Sequence, residues 1–404
     1  MNYEKTLTLI LDVGAGMIRC GGETHRVEDA VCRMADASGF QNINVWVVPT
    51  NLQATVTDPE GRVLTQLRSI KGSAMDFETL ASLNALSRWL CEEKPDCETV
   101  EARLREVQTA PRLGLIANCL AVILGGTAFG FFFGCDWLDS LTAALASLLI
   151  WALIRWLSPK EGNPLILNFT VSFFTELLIL LAARIGLAHN AGYITIGVVM
   201  LLISGLTATN GLRDLVHLDT LSGLINIVAA VTGAIGIALG MALPMLLLRD
   251  WTGSQVSALH SNEWIQLLAG AAACVGFAIL FHVRGAKIFW CGLGGFLCWG
   301  AYLIAYQFLI PSVFGAALIA SALVGLYAQI MARVHRVPAT VFTTICMLPL
   351  IPGSSLYYSI HGVVTRNAEL ASSKAADLGL TCFGIVLGFM VVEVVNRFIW
   401  RRPR

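Results

Sequence analysis

The sequence predicts a mainly α membrane protein: ten transmembrane helices arranged as two five-helix inverted repeats, preceded by a small α+β soluble domain. Three observations carry this expectation. Charged residues crowd the first 112 positions and nearly vanish afterwards. The apolar remainder divides into runs long enough to cross a bilayer. Segments of its two halves match at one constant offset. The expected units are a soluble domain at 1–111, a first membrane repeat at 112–260 and a second at 261–404.

The chain of 404 residues is 56% hydrophobic and 13% charged, about half the ~25% charged share of a soluble domain. Mean hydropathy is +0.70. Formal net charge is zero, and no basic stripe suggests a nucleic-acid partner. The 11 cysteines are scattered. None forms a C-x-x-C pair or a Cys/His cluster with zinc spacing, so no metal is expected. They read as small packing residues in a reducing compartment. The opening stretch does not read as a signal peptide: Asp12 interrupts the apolar run after Lys5, and no small-residue cleavage site follows.

Within the soluble part, helices are expected at Tyr3–Cys20 and His25–Ala37, the second with Val27, Val31 and Met34 along one face. Strands follow at Val45–Val48, Gln53–Thr57 and Arg62–Leu67. The Asp58-Pro59-Glu60-Gly61 turn makes the last two a hairpin. Helices at Glu78–Cys91, with the stripe Leu83, Leu86, Leu90, and at Glu98–Val107 close the unit. One polar cluster stands out, Glu23 to Asp29 after Gly21-Gly22. Read as a site it would be a ligand or regulatory site, or even a hydrolytic one, with Glu23, Arg26 and Glu28 as the regulatory candidates. Read as structure, Thr24 is a helix N-cap and Glu28 and Asp29 are first-turn acids favoured by the helix dipole. The second reading carries more weight, because charge networks are commoner than sites.

Ten spans are expected: Leu113–Gly134, Leu138–Leu157, Leu165–Leu187, Ala191–Leu212, Thr220–Leu248, Trp264–Val283, Ala286–Phe308, Ser312–Ala332, Pro338–Tyr358 and Ala375–Trp400. Gly233, Gly236 and Gly240 suit close helix packing in lipid. With the front domain in the cytoplasm, the same-side loops and C-terminus carry Arg155, Lys160, Arg213, Arg284, Lys287, Arg333, Arg336, Arg397, Arg401, Arg402 and Arg404. The other side carries only Arg184, Arg249, Arg366 and Lys374. That bias predicts a multi-pass protein of the cell (inner) membrane with both termini cytoplasmic.

The halves align at an offset of 148. Ile203-Ser204-Gly205 falls on Ile351-Pro352-Gly353, and Gly236-Ile237-Ala238-Leu239-Gly240 on Gly384-Ile385-Val386-Leu387-Gly388. A repeat with an odd number of spans must sit inverted relative to its twin. Inverted repeats are common in secondary transporters, which bind substrate near the midplane at interrupted helices; an inverted-repeat channel fits the symmetry too. One interruption falls in each half, at 201–223 and 348–367. Pro352-Gly353 cannot continue a regular helix comfortably. The substrate-binding candidates are Gly205, Thr207, Thr209, Asn210, Arg213, Asp214, Pro352, Gly353, Ser354, Ser355 and Tyr358, with Tyr357 beside them. Arg213 has the fork geometry of a carboxylate clamp. His217 and Asp219 lie just beyond, and Asp219 reads as a helix N-cap.

Two acids lie inside spans, where a lone ionised carboxylate is costly and must be protonated, paired or wet. Glu393 has Arg397 four residues on, the spacing of a structural ion pair. Glu176 has no such neighbour, Arg184 being eight residues away, so Glu176 leads the candidates for proton coupling, ahead of Asp214 and Glu393. No G-x-S-x-G, H-E-x-x-H or G-x-x-x-x-G-K-[ST] motif occurs, which speaks against a hydrolase or an ATP-driven pump, and no enzyme or cofactor is expected.

The string Met17 to Phe40, with its small-residue turn followed by Glu23-Thr24-His25-Arg26-Val27-Glu28, resembles the opening signature of the threonine/serine exporter family. Thr209 to Leu224 resembles that family's first-half polar motif, and Leu350 to Tyr357 its second-half Pro-Gly motif. The resemblance covers essentially the whole chain, in the form where both halves are one polypeptide. It implies ten spans, a cytoplasmic front domain and proton-driven export of threonine and serine. Some split-gene relatives imply dicarboxylates such as succinate instead. One departure is Ser204-Gly205, where the family pattern has Pro-Gly. The expected partners are thus a small polar metabolite (threonine, serine or a small carboxylic acid), protons and the lipid bilayer. The oligomeric state, a homo-oligomer included, is left open by the sequence.

Overall fold

A computed structural model describes residues 2–72, 74–111, 113–202, 207, 210–211, 214–215, 218–248, 262–364 and 366–400, with side chains undescribed at 360, 364 and 396–400. Gly205, Thr209, Arg213 and His217 lie outside the described residues.

The front domain follows the chain closely. Helices α1 (Tyr3–Arg19) and α2 (Thr24–Ala37) precede strands β1 (Gln41–Val48), β2 (Asn51–Thr57) and β3 (Val63–Ser69), and α3 (Phe77–Glu93) and α4 (Cys97–Thr109) follow. The starts of α1, α3 and α4 are capped as short polar side chains should cap them. Asn2 accepts from the Lys5 amide at 3.1 Å, Asp76 from Thr79 at 3.1 Å and Asp96 from Thr99 at 3.3 Å. The strands form one antiparallel sheet in the order β1-β2-β3. Alternate β2 residues Leu52, Ala54 and Val56 turn inward onto Leu7, Ile10, Leu11, Val31 and Met34, the period expected of a half-buried strand.

Asp58 closes the β2–β3 hairpin by accepting from the Glu60 and Arg62 amides at 2.9 and 2.8 Å and from the Arg62 guanidinium at 2.8 Å. Burial alone would raise its carboxyl; the Arg62 and Glu60 contacts outweigh that and hold it below the usual carboxylate range. β1 starts earlier than expected, at Gln41, because its polar residues still pair with β2 across a bulge. Thr24 is not the cap of α2. The N-cap position is Glu23, with no capping hydrogen bond from its side chain, and Thr24 Oγ1 is buried without a partner among the described residues.

In the membrane domain, the described helices are α5 (Leu115–Phe133), α6 (Trp137–Leu157), α7 (Pro164–Arg184), α8 (Ala191–Val199), α9 (Thr220–Leu247), α10 (Glu263–Leu280), α11 (Lys287–Ile304), α12 (Val313–His335), α13 (Ala339–Cys346), α14 (Gly353–Val364) and α15 (Ala368–Trp400). Among the described residues, eight helices are long and apolar enough to cross a membrane: α5, α6, α7, α9, α10, α11 with its π-turn extension to Leu309, α12 and α15. They coincide with eight of the ten expected spans. The other two are interrupted. The span expected at Ala191–Leu212 holds α8 and then a turn at 200–202. The span expected at Pro338–Tyr358 holds α13, a tight turn at Leu348–Leu350 and α14, bent by 42°. A count of nine results if that bent pair is one span.

The two halves repeat each other's packing. α5 pairs with α6 as α10 does with α11, and α7 pairs with α9 as α12 does with α15. Gly236 and Gly240 of α9 lie on the carbonyls of Leu165 and Phe169, and Gly384 and Gly388 of α15 lie on those of Phe314 and Leu318. Only a residue without Cβ permits such approach: a Cβ would stand 2.4 Å from the Phe169 oxygen at Gly240 and 2.6 Å from the Leu318 oxygen at Gly388. Between the halves, α5 packs on α10. There Phe129 and Phe277, which are 148 apart, meet ring to ring at 5.8 Å.

The front domain sits on the span ends richest in Lys and Arg. The Phe77 amide donates to the Phe281 carbonyl at 3.0 Å. Lys287 pairs with Glu78 at 3.0 Å, Arg88 donates to the Arg336 carbonyl at 3.3 Å, and Arg284 donates to the Pro111 carbonyl. Thr340 Oγ1 donates to Glu23 at 2.7 Å, and Arg26 Nε meets the other carboxylate oxygen at 3.0 Å.

Candidate functional site

Helix α7 starts cleanly, with Pro164 in its first turn and Asn163 accepting from the Leu165 amide at 3.0 Å. Ser172 and Glu176 are four residues apart and share its inward face. Glu176 is 1% exposed. Its Oε2 accepts from Thr195 Oγ1 of α8 at 2.9 Å. Its Oε1, and Ser172 Oγ, have no partner among the described residues. Both line a small cavity of about 10 Å³ together with Thr175, Thr195, Leu202 and Met241, the scale of a single water molecule.

The Thr195 hydroxyl also lies 2.9 Å from the Ala191 carbonyl. One hydroxyl has one proton to donate and two lone pairs to accept with. With Glu176 ionised, Thr195 donates to it. With Glu176 protonated, the acid donates to Thr195, which donates to Ala191. The contact is therefore satisfied in either charge state.

Helix α8 is held in place from two sides. Gly197 lies against the backbone of Gly130, where a Cβ would stand 2.7 Å from the Gly130 Cα. Asp139, fully buried, accepts from the His189 amide at 2.7 Å and from the Asn190 amide at 3.1 Å. Beside it the His189 ring meets Asp136 at 2.6 Å. The ligand atoms of Asp136, Asp139 and His189 lie within 4.8 Å of one another, but each carboxylate is engaged by the loop itself.

The hydrogen bond and then the charge of Asp136 raise the His189 pKa above its ordinary value, about 6.5. A raised histidine pKa adds stability that is fully present below about pH 6.5 and fades as pH rises through the folded-state value. A histidine-resolved NMR titration should place the His189 midpoint above that of free histidine, and Asp136→Asn should return it. An unshifted wild-type midpoint would remove the pair.

From the second half, α14 packs on α8, α9 and α15. Tyr357, 3% exposed, lies within electrostatic reach of Glu176, and Tyr358 within that of Tyr193 on α8. The Tyr357 and Tyr358 rings meet at 5.3 Å. The segment after the second turn thus meets α8 beside α7, with Tyr357 toward Glu176 and Tyr358, from the expected set, toward Tyr193. Pro352 precedes α14, Gly353 opens it, and Ser354 and Ser355 are half-buried in its first turn.

Asp214 goes elsewhere. It is buried and accepts from Asn226 Nδ2 at 2.9 Å. Asn226 lies fifteen residues along α9 from Met241, which lines the Glu176 cavity, about 22 Å at 1.5 Å per residue. Thr207 and Asn210 are half-buried and helical. Glu393 is half-buried on α15. The expected i,i+4 partner Arg397 has no described side chain. Sequence reasoning missed Ser172, Tyr193 and Thr195. The signal for Ser172 was its four-residue spacing from Glu176. For Tyr193 and Thr195 it was two polar side chains in an otherwise apolar run.

Eight long apolar helices among the described residues, with one bent helix pair packed near a buried acid, define a multi-pass membrane protein. Residues 8–248 match the family model described as "Putative threonine/serine exporter" and residues 266–395 one described as "Threonine/Serine exporter". The chain belongs to the threonine/serine exporter family. It is also similar to a Mycobacterium tuberculosis protein named "Probable threonine/serine exporter", 22% identical over 432 residues, covering 96% of this chain and 76% of the relative. No solved structure matches the chain.

Proposed function

We propose that the protein exports threonine and serine across the cell membrane in exchange for protons, with its front domain in the cytoplasm. The observation that carries the mechanism is Glu176. It is buried, bonded to Thr195 in a contact that suits both charge states, and set beside α8, where α14 of the second half meets it. In this reading the acid alternates between a protonated state and a substrate-bound state, and the repeated packing of the halves supports two inverted repeats that expose the site to each side in turn.

The backbone and hydroxyls around the two breaks bind the substrate's ammonium, carboxylate and hydroxyl. Ser354, Ser355, Tyr358, Thr207 and Asn210 serve together with Gly205, Thr209 and Arg213, Pro352 and Gly353 shaping the second break. Glu393 and Asp214 are secondary candidates for the proton path. The basic span ends against the front domain support the cytoplasmic placement.

The test is accumulation in proteoliposomes with an acid lumen and an alkaline bath. One-for-one exchange should concentrate threonine inside up to about tenfold per pH unit, because one pH unit is worth about 1.4 kcal/mol per proton. A protonophore should abolish the gradient. Accumulation that ignores the pH difference would refute antiport.

A further inference from the structure

Between the front domain and the membrane domain lies a cavity of about 380 Å³, within the size range of small-molecule sites, about 300–1,000 Å³. Four arginines line it. Arg26 and Arg88 come from α2 and α3 of the front domain, and Arg333 and Arg336 from the end of α12. Among the described residues its only acid is Glu23, and that carboxylate is already engaged by Arg26 Nε at 3.0 Å and by Thr340 Oγ1 at 2.7 Å.

Arg333 needs no ligand to explain it, since it lies in the last turn of α12, where the helix dipole favours a cation. Arg336 also suits the basic end of a span. Neither reason applies to Arg26 and Arg88, which reach the same space from a soluble domain. Arg336 adopts φ +53°, outside the usual range for a side-chain-bearing residue, and its carbonyl receives Arg88 at 3.3 Å. A guanidinium carries five donors, so one contact does not exhaust it.

We propose that this cavity binds a small soluble anion bearing carboxylate or phosphate oxygens, and that its occupancy is felt by the broken helix through Glu23. Arginine forks match both groups in two-point geometry. Arg88 and Arg336 face this space from the two domains, so an anion seated between them would meet donors from both. The mechanical link is short: Glu23 ties the first turn of α2 to Thr340 in the first turn of α13, the helix that leads into the second break. The inference stands apart from the transport reading, because it uses none of the Glu176 contacts.

The experiment is calorimetric titration of the full-length protein in neutral-lipid nanodiscs, with succinate and with inorganic phosphate as separate probes. Saturable binding of either is expected. Arg88→Gln combined with Arg336→Gln should weaken it about tenfold or more, as loss of charge-assisted hydrogen bonds predicts. Asn84→Trp, which fills the cavity and leaves every arginine in place, should abolish it. Glu176→Gln should bind as the wild type does, separating this site from transport. Hydrogen exchange across 339–346 should slow on binding. Absence of saturable binding by both probes, or unchanged affinity in the filled and the charge-depleted variants, would overturn the site. If anionic lipid in the nanodisc displaces both probes, the occupant is a lipid phosphate and the soluble ligand is overturned. Unchanged exchange at 339–346 would overturn the link to the broken helix.

Discussion

Replacing Glu176 by glutamine should reduce threonine accumulation in acid-loaded proteoliposomes to the level of protein-free vesicles, while one-for-one exchange of internal for external threonine continues. Glutamine has nearly the shape of glutamate and can still accept from Thr195 through its amide oxygen. It cannot exchange a proton. The variant therefore isolates proton carriage from packing, and folded protein should be recovered in normal amounts. Glu176→Asp is a graded companion, because shortening the side chain by one methylene draws the carboxylate back from Thr195. Wild-type accumulation by Glu176→Gln would take Glu176 out of the mechanism. Loss of both accumulation and exchange would make it part of the binding site itself.

The second large effect is structural. Gly240→Val and Gly388→Val should both fail to give a monodisperse folded protein on size-exclusion chromatography of detergent extracts. At each position the new Cβ would meet a backbone carbonyl of the facing helix, at 2.4 Å and 2.6 Å. Backbone cannot swing aside as a side chain can. The cost should therefore lie at or above the upper end of the 1–3 kcal/mol typical of overpacking. The positions are equivalent in the two halves, so their phenotypes should match. Gly379→Val, also on α15 but with nothing within 4 Å of its added Cβ, should behave as wild type. A tolerated Gly240→Val beside a disruptive Gly388→Val would break the equivalence of the halves.

Much of the front domain could be read from local pattern, because period-2 and period-3.6 stripes and the Asp58-Pro59 turn depend on near neighbours. The early start of β1 could not, since Gln41 to Asn44 lack a strand-like composition and owe their pairing to β2. The Thr24 reading failed for a related reason. Local rules make Thr24 the natural cap, but the helix starts at Thr24 itself, and Glu23 at the N-cap position meets Thr340, a residue 317 positions further on, a contact no neighbour pattern contains. In the membrane domain the continuous spans were legible as apolar runs, and the second interruption as Pro352-Gly353.

The site was half legible. Glu176 declared itself as a buried acid in an apolar run, but Thr195 matters only because Gly197 and Asp139 seat α8 on α5 and α6, where its hydroxyl reaches Glu176. The repeat was legible through its glycines, yet the ungapped offset of 148 hides a slip. The packing twins Leu165 and Phe314, and Ser172 and Ser321, are 149 apart, as one inserted residue between spans would produce. Asp214 was legible as an acid in the first polar segment, but its place was not. Its bond to Asn226 sets it about 22 Å along α9 from the level of Glu176.

The most direct test of the account is counterflow in proteoliposomes, with labelled threonine inside and unlabelled threonine, serine, other amino acids or succinate outside. The account predicts faster loss of label with external threonine and serine and none with succinate. Acceleration by succinate but not by serine would contradict it and assign the broken-helix site to a dicarboxylate.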